Sequence, residues 1–278
     1  MLLSRWLVVV LVIGLAAWLV GTRLVHTYVD AAFAAANAPF SVLQNYTDVY
    51  GNACQVAVVR LDNYELYASR GETDGYSMSA EDVVAQIEQA RDDASIKGVL
   101  LLVNSPGGSI VAGEMIANAL KGVGKPSAAL ILDVGDSAAY FAATGAERII
   151  ASTFSDVGDI GVTSSFISFA SENTKNGDIF EQISSGKYKD AGNPNKALTV
   201  DERALLQSNV DEDYEHLIAQ IAENRRMPLA AVRELADGSS MPGSRALSRG
   251  LIDEIGDLAV AEAWFASKLA QKDVTLCQ

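Results

Sequence analysis

Gly98-Val99-Leu100-Leu101-Leu102-Val103-Asn104-Ser105-Pro106-Gly107-Gly108-Ser109 and Ser127-Ala128-Ala129-Leu130-Ile131-Leu132-Asp133-Val134-Gly135-Asp136-Ser137 are the two stretches that decide the fold. In each, an unbroken apolar run ends in a polar, glycine-containing loop, and a helical pattern follows. A run apolar at every position, rather than at alternate ones, is what a strand buried on both faces of a parallel sheet requires. After the first run the pattern is helical through Ile116 and Leu120, and after the second an Ala-rich helix starts near Ala138. Strand, loop and helix repeated in this order predict βαβ units, and so an α/β domain with a mostly parallel sheet and flanking helices.

Working outward, Gln55 to Leu61 reads as a strand. Ser79 followed by Asp82 reads as the capped start of a helix with Val83, Val84, Ile87 and Ala90 on one face. Shorter strands are expected at Arg148 to Ala151, Gly161 to Ser168 and Ile179 to Ile183. Thr199 and Glu202 form a capping-box pattern ahead of Leu206, Val210, Tyr214, Leu217 and Ile221, one face of a long helix. Gly250 and Gly256 break the helices that follow. There is no internal repeat and no low-complexity tract.

The first residues differ in kind. Seventeen uncharged residues separate Arg5 from Arg23, just enough helix at about 1.5 Å per residue to cross a bilayer core. Trp6 and Trp18 suit its two interfaces. The expected organisation is a membrane anchor over residues 1–26, an Ala-rich linker or stalk over 27–53 and one catalytic domain over 54–278. A cleavable signal peptide ending at Ala36-Asn37-Ala38 is the rival reading, weakened by Pro39 directly after it.

Of the 278 residues, 49% are hydrophobic and 20% charged, the composition of a globular chain, and the net charge of −14 excludes nucleic acid as a partner. Two histidines, His26 and His216, and two cysteines, Cys54 and Cys277, cannot build a zinc cluster or a multi-histidine metal site. The cysteines could be bridged outside the cytoplasm or remain buried thiols. A Ser-His-Asp triad would have to recruit His216, which falls in the middle of the long helix, whereas such histidines sit on loops.

Ser137 stands at a strand-to-helix turn, where a hydroxyl is exposed and helix N–H groups face developing negative charge. Locally it reads equally well as a capping serine. Gly107 and Gly108 offer bare backbone N–H groups at the end of the neighbouring strand, either as an oxyanion hole or as a plain tight turn. With no histidine at hand, the base for such a serine would be a lysine whose charged form is disfavoured by burial. Lys187 and Lys189, in Ser185-Gly186-Lys187-Tyr188-Lys189-Asp190, point the same way in an extended segment, and periodicity does not choose between them.

These motifs, in this order, resemble those of the signal peptide peptidase A family, membrane peptidases with a Clp protease/crotonase-like fold. Asn104 to Gly108 is similar to that family's oxyanion loop, Ser137-Ala138-Ala139-Tyr140 to its nucleophile motif, and Gly158-Asp159-Ile160-Gly161-Val162 and Ser185 to Asp190 to the two that follow. Leu251-Ile252-Asp253-Glu254-Ile255-Gly256 is similar to its closing signature. The resemblance runs from about Val99 to Gly256. It implies Ser137 as nucleophile, Lys189 as general base, Gly107 and Gly108 as the oxyanion hole, and no metal or organic cofactor. It further implies signal peptides or other short membrane-derived peptides as substrates, and a homo-oligomer on the outer face of the membrane with the dyad shared between subunits. Two positions depart from the pattern: Ala138-Ala139 replaces Gly-Gly, and Asp159 replaces a serine that helps orient the lysine. A carboxylate there favours the ammonium form, so Asp159 turns away, or the enzyme works at higher pH, or the chain is an inactive scaffold homologue. A crotonase-like acyl-CoA enzyme, using the same glycine loop for an enolate, is the alternative from another class.

Overall fold

The computed structural model describes residues 53–62, 65–69 and 78–277. The expected anchor and nearly all of the linker lie outside these, and among the described residues no helix is long and apolar enough to cross a membrane.

A parallel sheet forms the frame. Its strands are β1 (Val56–Asp62), β4 (Gly98–Ser105), β5 (Ser127–Asp136), β6 (Arg148–Ala151), β9 (Glu254–Ile255) and β10 (Leu276–Cys277), in the order β10-β1-β4-β5-β6-β9. β2 (Leu66–Tyr67) and β3 (Met78–Ser79) form a separate parallel pair. The helices are α1 (Ala80–Asp92), α2 (Ile110–Gly122), α3 (Ser137–Ala143), α4 (Ala170–Asn176), α5 (Val200–Arg225), α6 (Leu229–Leu235), α7 (Gly243–Arg249) and α8 (Leu258–Lys268).

Both faces of the sheet are covered, which is why β4 is apolar without a break from Val99 to Val103. Val99, Leu101 and Val103 join the larger core with Ile87 of α1, Ile116 of α2 and Phe141 of α3. Leu100 and Leu102 point the other way, into a smaller cluster with Phe265 and Ala261 of α8. A period of two in a strand with no solvent face leaves no polar position to alternate with.

β5 does two jobs. Its first part, Ala128 to Ile131, pairs with β6; its last part, Val134 to Asp136, pairs with β7 (Asp156–Gly158). β7 in turn pairs antiparallel with β8 (Ser240–Pro242). This fork switches the partner of β5 on one edge from β6 to β7 and delivers Ser137 next to the residues after β7.

The closing Leu251-to-Gly256 signature has a structural role. Arg225, at the end of α5, makes two hydrogen bonds to the Asp253 carboxylate, at 2.8 and 3.0 Å, and two to Gly250 O, at 3.0 and 3.3 Å. Asp253 also accepts the Ile149 N–H of β6 at 2.7 Å, and Tyr140 Oη of α3 donates to Leu251 O at 2.8 Å. The long helix, the sheet and the serine's helix are thereby tied at one buried point. Burial pushes the Asp253 carboxyl upward, but the Arg225 guanidinium outweighs it and the net shift is downward.

Two expected strands are not formed. Gly161 to Ser168 and Ile179 to Ile183 carry no ladder pairing, and α4 between them has no buried residue. Val162 packs against the core, but most of their apolar residues face outward: Ile167 is 73% exposed, Ile179 84% and Ile183 98%. The chemistry that suggested strands is present without the burial that would make them pay, a point that bears on assembly below.

Cys54 and Cys277 are joined in a disulfide, which settles the alternative left open by the sequence. It staples the approach to β1 to β10, its parallel neighbour at the sheet edge.

Candidate active site

Ser137 is a non-glycine residue in the left-handed region, with φ of 52°, at the junction of β5 and α3. Such a conformation is costly for a side chain with a Cβ and persists only where the surroundings impose it. Here they do: β5 is locked to β7 up to Asp136, and α3 begins at once, with Ala138, Ala139 and Tyr140 buried. The helix start cannot slide because its next residues are core.

The glycine loop lies directly against the serine. Gly107 has φ of 102°, and a Cβ placed on it would come within 2.7 Å of Ser137 Cβ and 2.8 Å of Ala138 N. Gly108, at φ 146°, would meet Leu66 O at 2.4 Å. Only glycine fits at either position. The loop is pinned to β2 by Leu66 N–H donating to Gly107 O and by Ser109 N–H donating to Leu66 O, both at 2.8 Å. Gly107 N–H donates to Ser105 Oγ at 3.2 Å. The N–H of Gly108 takes part in none of these bonds.

Ser137 opens onto a cavity of about 410 Å³ that it lines with Asp159, Thr163, Tyr214 and Asp237. Among the described residues lining it there is no lysine or arginine. The negative side is instead crowded. Asp136, the residue before the serine, has a buried Oδ1 with no hydrogen-bond partner. Burial, then the charges of Asp156 and Asp159, push its carboxyl up to about 7. Asp159 is raised by burial and then by Asp156, and, like Ser137, has a positive φ, 46°. Three carboxylates gathered by the β5–β7 pairing therefore lack a counter-cation within the described part of this subunit.

The two candidate lysines are elsewhere. Lys189 is exposed on a turn closed by its own N–H donating to Gly186 O at 3.2 Å, and it does not line the serine's cavity. Lys187 is committed to Asp201 at the start of α5, 2.6 Å away, and that carboxylate's hydrogen bond holds its ammonium well above the usual lysine range. His216 lies on the exposed face of α5 near Glu212 and does not line the serine's cavity. Within one subunit the structure thus brings together Ser137, Gly107, Gly108 and Asp159, and leaves Lys189 apart. Sequence reasoning missed Asp136. Its signal, an acid directly before the candidate nucleophile, was present, but the partners that perturb it come from β7, twenty residues on.

Comparison with known proteins places the chain in a family. The profile of Peptidase family S49 matches residues 119–272, more than half of the chain, and that of Clp protease matches residues 71–153. A putative protease of Methanocaldococcus jannaschii is 33% identical over 75% of this chain and 68% of its own length. A putative signal peptide peptidase SppA of Enterococcus faecium is 30% identical over 72% of this chain and 60% of its own. The chloroplastic serine protease SPPA of Arabidopsis thaliana is 30% identical over 82% of this chain, which spans 35% of that longer protein. With a Clp protease-like α/β fold and a profile match through the serine, the turn bearing Lys189 and the closing signature, the chain belongs to peptidase family S49, a family of serine-type peptidases.

Proposed function

We propose that this chain is a membrane-anchored serine endopeptidase in which Ser137 of one subunit is served by Lys189 of its neighbour. The observation that carries the reading is the cavity itself: a conformationally forced serine beside bare glycine N–H groups and unpaired carboxylates, with no cation among the described residues that line it. Residues 162–190, which bear Lys189, expose Ile167, Ile179 and Ile183, as a surface destined for another copy would. A subunit interface excludes water and favours the neutral amine that a base must be.

In this mechanism the Ser137 hydroxyl gives its proton to the Lys189 amine as its oxygen adds to the scissile carbonyl. The Gly108 N–H, with Gly107 shaping the loop, donates to the resulting oxyanion. Lys189 then returns the proton to the leaving amine, and a water, deprotonated by the same amine, releases the acyl group from Ser137. No metal or organic cofactor takes part. Signal peptides and other short membrane-derived peptides are the proposed substrates, presented to a domain tethered by residues 1–26. The Cys54–Cys277 disulfide supports an oxidising, extracytoplasmic location for that domain.

A fluorophosphonate probe is expected to label the intact protein at Ser137 and to leave Ser137→Ala unlabelled; labelling of both equally would remove the serine from the reaction. Asp159 sets the pH range. Its carboxylate, facing the arriving ammonium, holds that group charged, so Asp159→Ser is expected to move the alkaline-rising limb of the pH-rate profile to lower pH. A limb that stays in place in that variant would mean that the carboxylate does not feel the base.

A further inference from the structure

Lys189 is followed directly by Asp190, a carboxylate that could hold the neighbouring ammonium charged and spoil it as a base. The structure shows where that carboxylate goes. Asp190 Oδ1 accepts from Asn193 Nδ2 at 2.9 Å, while Oδ2 is buried and makes no hydrogen bond. Lys196 Nζ lies 3.7 Å from Oδ2, with the two side chains only 22% and 20% exposed. The same Nζ donates to Glu202 Oε1. Glu202 is fixed in turn by the capping box at the start of α5, its Oε2 accepting from Thr199 N–H at 2.9 Å and its own N–H donating to Thr199 Oγ1 at 3.2 Å. The Lys196 hydrogen bond, then that of Thr199, lowers the Glu202 carboxyl to about 2, so it is charged at any working pH.

Resting on the dyad reading above, we propose that Lys196 is a positioning residue for the base: shared between Glu202 and Asp190, it ties Asp190 to the capped start of α5, which both fixes the turn that presents Lys189 and holds the Asp190 carboxylate back from the amine. The other charges around the turn are accounted for. Lys187 is paired with Asp201 of α5. α4, against which the end of the segment packs through Phe169 N–H to Pro194 O at 2.7 Å, carries Glu172 and Lys175 exposed to solvent. On the serine side stand Asp136, Asp156 and Asp159, which Lys196 does not touch. Asp190 is therefore the acid next to Lys189 that Lys196 holds.

The test is the pH-rate profile of the full-length enzyme on a peptide substrate. Lys196→Met frees Asp190, and the alkaline-rising limb is expected to move up by about one pH unit, a loss of about tenfold at a fixed pH on that limb. Lys196→Arg is expected to keep the wild-type profile. Adding Asp190→Asn to Lys196→Met is expected to bring the limb back, a recovery that a merely structural role for Lys196 would not give. Lys189→Ala is measured beside them. If it is dead and the Lys196→Met limb is unmoved, or moved but not restored by Asp190→Asn, this proposal is overturned alone; if Lys189→Ala is active, the dyad falls and this proposal with it. Should Lys196→Met not fold, Asp190→Asn alone is expected to leave the limb within a few tenths of a unit of wild type, because that carboxylate is already held by Lys196 and Asn193; a large downward shift would contradict the proposal.

Discussion

Ser137→Ala and Lys189→Ala are each expected to lower kcat by about ten-thousandfold or more, the scale on which removing one member of a nucleophile–base pair acts. Lys187→Ala is expected to stay within about twofold of wild type. The contrast between the lysines follows from their partners. Lys187 is spent on Asp201 at 2.6 Å and its ammonium is stabilised there, which is the opposite of what a base needs. Lys189 has no such tie among the described residues, and its neighbouring carboxylate is occupied by Lys196 and Asn193. A dead Lys187→Ala beside an active Lys189→Ala would reverse the assignment.

The second large effect concerns stability. Cys54 and Cys277 are 223 residues apart, so their bond closes a loop over nearly all of the described chain. On chain-entropy grounds such a crosslink stabilises by about 5 kcal/mol, the top of the observed range. Cys54→Ser with Cys277→Ser is therefore expected to lower the thermal midpoint by about 10 to 20 °C in a domain of this size. Neither sulfur touches the serine's cavity, so activity per folded molecule should be unchanged below the transition. A midpoint that does not move when the bond is removed would show that β10 contributes little to the fold.

Much of the fold was legible because burial and periodicity agree in it. β4 is apolar throughout because both of its faces are covered, and Thr199 with Glu202 caps α5 as their spacing says. The failures share one cause. Gly161 to Ser168 and Ile179 to Ile183 were read as strands because apolar residues normally declare a core, but a sequence does not say whether the surface they meet belongs to the same chain or to another. β7 was missed for the converse reason: Asp156-Val157-Gly158 is three residues long and without apolar period, and it becomes a strand only because the end of β5 is there to pair with it.

The site was legible in part. Ser137 and the Gly107-Gly108 loop stand out locally, and the structure gives each a steric reason, the forced φ of the serine and the absence of room for any Cβ on the loop. Lys189 was chosen over Lys187 only through family resemblance; the Asp201 pairing of Lys187 is the structural feature that favours the same choice. The acidic group of Asp136, Asp156 and Asp159 could not have been read, since it exists only through the β5–β7 register.

The central claim is that the catalytic pair is divided between subunits, and mixed oligomers test it most directly. Ser137→Ala and Lys189→Ala chains, each inactive alone, are co-expressed with different tags and co-purified so that both are proven to share one assembly. Interfaces that bring an intact serine of one chain against an intact lysine of the other are expected to restore a measurable fraction of wild-type turnover, about a quarter if mixing is random and every serine is served by one neighbour. Co-assembled oligomers with no more activity than either variant alone would place Ser137 and Lys189 in the same subunit and contradict the account.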